Sequence, residues 1–140
     1  MNKAKKTDRQ KQIKRLDTLF SEYIRKRAMK RVGGCERCLT PKKTYKELQT
    51  AHFHSRRKYT VRWDERNAVG LCGGCHMYLD SHIDAKQEFA RKLLGEEYEK
   101  LYILAEMTTK QSAIDYSLLE IYLKQLLEEV NNGMANMSNL

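Results

Sequence analysis

The sequence predicts an α+β fold that is mostly helical, with a small zinc-stapled centre between a basic N-terminal helix and a C-terminal helical region. Three observations predict it. Two Cys-x-x-Cys pairs, Cys35–Cys38 and Cys72–Cys75, bracket the middle of a 140-residue chain with no other cysteine. Short, alternating or turn-bounded runs lie between the pairs. Outside them, apolar residues recur at helical spacing. The divisions that follow are a basic tail and helix over 1–34, the stapled core over 35–82, and helices over 83–140. A chain of this length makes one domain, and a metal-stapled centre suits so small a core.

Residues 1–6 read as a short, disordered basic tail. From Thr7 to about Val32, the residues Ile13, Leu16, Leu19, Phe20, Tyr23, Ile24 and Ala28 mark one helix face. The other face carries Lys11, Lys14, Arg15, Arg25, Lys26, Arg27, Lys30 and Arg31. Gly33-Gly34 suit a C-cap, and the basic last turn complements the helix dipole. The surplus charge is expected to meet phosphate, the alternative being a solvated face.

The cysteine pairs have the spacing that a tetrahedral Zn²⁺ needs, each supplying two thiolates from one tight turn. Gly33-Gly34 before the first pair and Gly73-Gly74 inside the second favour such turns. The 33 residues between the pairs leave room for a β-hairpin. Two disulfides in an oxidising compartment, or four free thiols, are the competing readings. Pro41 to Thr44 reads as a loop. Leu48 to His54 alternates, so a strand is expected there with His52 and His54 on one face. Ser55 to Lys58 is a basic loop, and Tyr59 to Trp63 is a second strand-like run, with Trp63 expected in the core. A short helix is expected from Leu71–Cys72, placing His76 and Asp80 four apart on one face.

All four histidines lie in this window, and with Asn67 they follow the order His52, Asn67, His76. This pattern resembles the HNH endonuclease family. The stretches Glu47-Leu-Gln-Thr-Ala-His-Phe53, Arg62-Trp-Asp-Glu-Arg-Asn67 and Cys72-Gly-Gly-Cys75 are similar to phage NinG-type recombination proteins. The resemblance covers roughly residues 33–103. It implies a ββα-metal core that binds one catalytic Mg²⁺ or Mn²⁺ and cuts DNA, duplex or branched, in phage recombination or processing. By resemblance, His52 is the general base, Asn67 holds the hairpin and orients His52, and His76 ligates the catalytic ion. Many family members carry Asp or His just before the first histidine, where this chain has Ala51. The missing ligand is then expected from His82 or His54, ahead of Asp80, with substrate phosphate as the other role for His54. Arg56, Arg57, Lys58 and Arg62 are the candidate phosphate clamps.

Beyond the core, Ile83 to Leu94 and Glu96 to Met107 read as helices separated by Gly95. Ser112 to Asp115 resembles a capping box for a last helix running to Val130, followed by a loose polar tail. Its band, led by Leu119, Leu123, Leu126 and Val130, suits either buried core or a homodimer seam. Charge is lopsided: residues 1–66 carry 21 Lys+Arg against 7 Asp+Glu, and residues 67–140 carry 6 against 11. Such a half faces a polyanion, most simply nucleic acid. No apolar run reaches transmembrane length and no apolar segment follows the charged N-terminus, so the expected location is the cytoplasm, with no membrane partner. A non-catalytic, zinc-stapled nucleic-acid-binding module is the alternative to the nuclease.

Overall fold

The computed structural model describes residues 7–138, with side chains described for residues 7–134; the expected basic tail over 1–6 lies outside the described residues. In chain order the elements are α1 (Asp8–Val32), β1 (Gln49–His52), β2 (Ala68–Leu71), α2 (Gly73–Ser81), α3 (Ile83–Leu94), α4 (Glu97–Glu106) and α5 (Tyr116–Ser138). Single 3₁₀ turns lie at Tyr45–Glu47, Glu65–Asn67 and Gln111–Ala113. The fold is therefore α+β and mostly helical. No described helix is long and apolar enough to cross a membrane.

α1 starts at a capping box, Thr7 Oγ1 accepting from Gln10 N while Gln10 Oε1 accepts from Thr7 N. It stops at Gly33, whose φ of 69° is left-handed and whose N–H donates to Met29 O. α1 is the axis of the molecule because its apolar face serves two cores. Leu16, Phe20, Tyr23 and Ile24 bury against Trp63, Tyr116, Leu123 and Val130. Ala28, one turn further, joins the sheet core with Leu48, Ala51, Val69, Leu71 and Leu79.

α5 lies alongside α1. Gln12 meets Ser117, Arg15 meets Glu120 and Lys26 meets Asn131, each pair 105 residues apart, so the two helices run parallel. This contact packs the main apolar row of α5 against α1. Leu123 and Val130 are buried against α1, with Leu119, Leu126 and Leu127 packed beside them. Asp115 Oδ1 caps the helix by accepting from Leu118 N, so it starts later than Ser112. It also continues through the expected loose tail to Ser138.

β1 and β2 pair antiparallel, Gln49 opposite Leu71 and His52 opposite Ala68, and α2 follows at once. The second strand is thus Ala68–Leu71, not Tyr59–Trp63. Within the latter run, Lys58–Val61 and Val61–Asp64 close turns, and Val61 and Trp63 bury into different cores. β2 is buried at all four positions because α1 and α2 sandwich the hairpin, and a strand buried on both faces carries no alternation to read. β1 also ends at His52, two residues short of its expected end.

Candidate functional site

The four cysteine sulfurs lie within 4.8 Å of one another, none in a disulfide, so they could share one metal ion. Cys38 Sγ and Cys72 Sγ are 3.8 Å apart. Tetrahedral sulfurs at about 2.3 Å from a zinc ion fit such a separation. Cys72 is the N-cap of α2, its sulfur accepting from Cys75 N at 3.4 Å. The helix start itself brings the second pair together, while Gly73 and Gly74 have ordinary dihedrals. Hydrogen bonds from the Thr40 hydroxyl and backbone hold the Cys38 thiol down to about 6, whereas burial pushes Cys75 up to about 12. Glu36, buried inside the first knuckle, accepts from Gly70 N at 2.8 Å, and its own N–H donates to Gly70 O. The sequence reading missed this link between knuckle and hairpin, because no local pattern marks a buried glutamate.

A cleft of about 450 Å³ opens between α1 and α2 along β1. Asp17, Phe20 and Ser21 form one wall, Thr50 and His52 the floor, and Arg56, His76 and Asp80 the remainder. His52 Nε2 lies 3.1 Å from Arg62 O, so that nitrogen carries the proton and donates, leaving the Nδ1 lone pair. Burial, ahead of every charge nearby, lowers the His52 pKa from its ordinary value. Its ring lies 5.6 Å from that of Phe20.

Asn67 is fully buried and closes the loop that joins the strands. Its Oδ1 accepts from His54 N at 2.8 Å, and its Nδ2 donates to His54 O and Val61 O, each at 3.1 Å. The first pair fastens the chain just past His52. His76 Nδ1 meets Gln49 Oε1 at 2.8 Å and Nε2 lies 3.3 Å from Asp80 Oδ2. The Gln49 carbonyl accepts a hydrogen bond from Nδ1–H, so the Nε2 lone pair and a carboxylate oxygen converge, one helical turn apart. Asp80 also accepts from Lys86 at 3.0 Å through Oδ1.

His54 and His82, the expected extra ligands, are not brought to His76. Because β1 ends at His52, the His54 ring turns into a separate hollow with Phe53, Ile83, Lys86, Tyr98 and Tyr102. His82 stacks on Tyr78 at 4.1 Å and its Nδ1 meets Tyr78 O at 2.8 Å. Asp80, ranked behind both, is the residue beside His76. Among the expected phosphate clamps, only Arg56 lines the cleft. Arg62 is committed to Asp17, with contacts of 2.6 and 3.1 Å, and Lys58 pairs with Glu106 at 3.8 Å. Arg57 is exposed beside them. Much of the basic face of α1 is likewise engaged: Arg15 with Glu120, Arg31 with Glu36, and buried Arg27 with the carbonyls of Glu65 and Ala68. Comparison with protein families, curated proteins and solved structures finds no match.

Proposed function

We propose that this chain is a metal-dependent endonuclease of the HNH type that hydrolyses DNA phosphodiester bonds. The observation that carries the reading is that His52, His76, Asp80 and Arg56 line one cleft. The order strand, loop closed by Asn67, strand, helix is consistent with a ββα-metal core. His52 is the general base: with Nε2–H on the Arg62 carbonyl, Nδ1 takes the proton from water, and burial keeps the ring neutral at pH 7. Asn67 fixes where β1 ends, and so where the His52 ring stands. His76 Nε2 and Asp80 would hold Mg²⁺ or Mn²⁺, since ions of this kind take few protein ligands and keep several waters. Such an ion supplies positive charge to the scissile phosphate and its leaving oxygen. Arg56 adds a cation for a neighbouring phosphate oxygen. The four cysteines hold a structural Zn²⁺ that fixes the start of α2, and with it His76.

The test is cleavage of duplex and branched DNA with Mg²⁺ or Mn²⁺, and with EDTA as control. The wild type cuts only with a divalent ion. His52→Ala loses about 10²–10⁴-fold in rate, the usual worth of a general base, while its DNA binding survives. His76→Ala and Asp80→Ala need more divalent ion for half-maximal rate. A protein that binds DNA but cuts none with any ion is instead the zinc-stapled binding module. Equal cutting by His52→Ala would remove His52 from the base role.

A further inference from the structure

We propose that Asp17, on α1 and far in sequence from the histidines, is a positioning residue for His52. It holds the peptide whose carbonyl orients the ring. That carbonyl, Arg62 O, belongs to the peptide unit joining Arg62 to Trp63. Asp17 grips the side chains on both sides of that unit. Oδ1 accepts from Arg62 Nε at 3.1 Å and from Trp63 Nε1 at 3.0 Å, and Oδ2 accepts from Arg62 Nη2 at 2.6 Å. One carboxylate therefore pins two consecutive residues, and His52 Nε2–H donates to the oxygen between them at 3.1 Å.

The surroundings explain why a pin is needed. Arg62 and Trp63 are the two central residues of the turn closed by Asp64 N and Val61 O, in the loop between β1 and β2 whose ends Asn67 fastens. Val61 and Trp63 anchor in different cores, so packing alone leaves the intervening peptide free to tilt. A paired, half-buried fork of two charge-assisted bonds removes that freedom. The clamp continues outward, since Arg62 Nη1 donates to Arg56 O at 3.1 Å. Phe20, one turn along α1 from Asp17, stands against the His52 ring and limits its rotation. α1 thus acts on the base twice, through a ring contact and through the Arg62 carbonyl. Outer-shell partners that orient metal-ligating histidines contribute about 10- to 100-fold, and the same order is expected for a base held through one peptide.

The kinetic arm of the test rests on the nuclease reading; the spectroscopic arm does not. In histidine-labelled wild type, the His52 Nε2–H proton, assigned by its loss in His52→Ala, is protected from exchange with water. In Asp17→Asn, which keeps the side-chain shape but loses charge and one acceptor, that proton exchanges at least about tenfold faster. Cleavage by Asp17→Asn falls about 10- to 100-fold in kcat with KM for DNA unchanged. Trp63→Phe, which removes one of the three contacts, gives a smaller change in the same direction. If Asp17→Asn does not fold, Trp63→Phe and Arg62→Lys decide by the same proton. Unchanged protection in every folded variant overturns the proposal. If the wild type cuts no DNA, the nuclease reading fails alone and the proton still decides the role of Asp17.

Discussion

His52 shows how one half-buried ring links protonation to both stability and the proposed chemistry. Burial lowers its folded-state pKa beneath the unfolded value of about 6.5. A base depressed on folding binds fewer protons in the native state. Its contribution to stability is therefore fully present above pH about 6.5 and is lost as pH falls below that value. Chemical denaturation of the wild type between pH 8 and 5 should show this decline, and His52→Gln should flatten part of it. Cleavage should share the acidic limb and stay level above neutrality. The candidate residues were partly legible in the sequence. The order His52, Asn67, His76 singles out two residues that line the cleft and one that closes the loop behind it, and the spacing of four places Asp80 beside His76. The roles of His54 and Arg62 were not legible, because each depends on where a strand ends or on what a distant helix offers. Asp17 and Gln49 carry no local signal, since their partners are 45 and 27 residues away.

Among the elements, α1 packs closely on β2. Gly70 faces Ala28, and a Cβ at Gly70 would stand 2.6 Å from the Ala28 Cβ, inside contact distance. Gly70→Ala should therefore push the helix off the strand and cost about 1–3 kcal/mol, the usual penalty for overpacking. Ala28→Gly should restore part of that loss in the double variant, beyond additivity, as urea melts of the four proteins would show. Helices were the most legible elements, since α1, α3 and α4 lie within one residue of their expected bounds. The hairpin was half legible. Alternation marks β1, but β2 is covered on both faces and carries a uniform apolar run. The strand-like pattern at Tyr59 to Trp63 arises instead from side chains serving separate cores. The tail after Val130 looked too polar for a helix, yet it continues one whose preceding turns are already buried against α1.

Across the whole molecule, the cysteine cluster joins the end of α1 to the start of α2, so a metal held there would belong to folding and not only to the site. Zinc sites of this class contribute roughly 10–16 kcal/mol of binding free energy, much of it realised as folding. Metal analysis should find about one zinc per chain. Cys72→Ser should lose it and unfold the hairpin, while exposing the purified protein to EDTA should act in two stages. The early loss of cleavage is reversed by Mg²⁺, whereas the later loss, with its fall in ellipticity, needs zinc and refolding. Full recovery by Mg²⁺ after prolonged chelation would argue against the structural role. Truncating α1 to test its charge would fail for a related reason, because Leu16, Phe20, Ile24 and Ala28 are core. The parallel pairing of α1 with α5 also has a kinetic consequence. At ribosomal rates of about 5–20 residues per second, the apolar stripe of α1 leaves the tunnel about 5–20 s before the helix that covers it. Contacts 105 residues apart close late and make folding slow. A nascent chain halted before Tyr116 should therefore hold chaperone on α1 and release it only once α5 has been made.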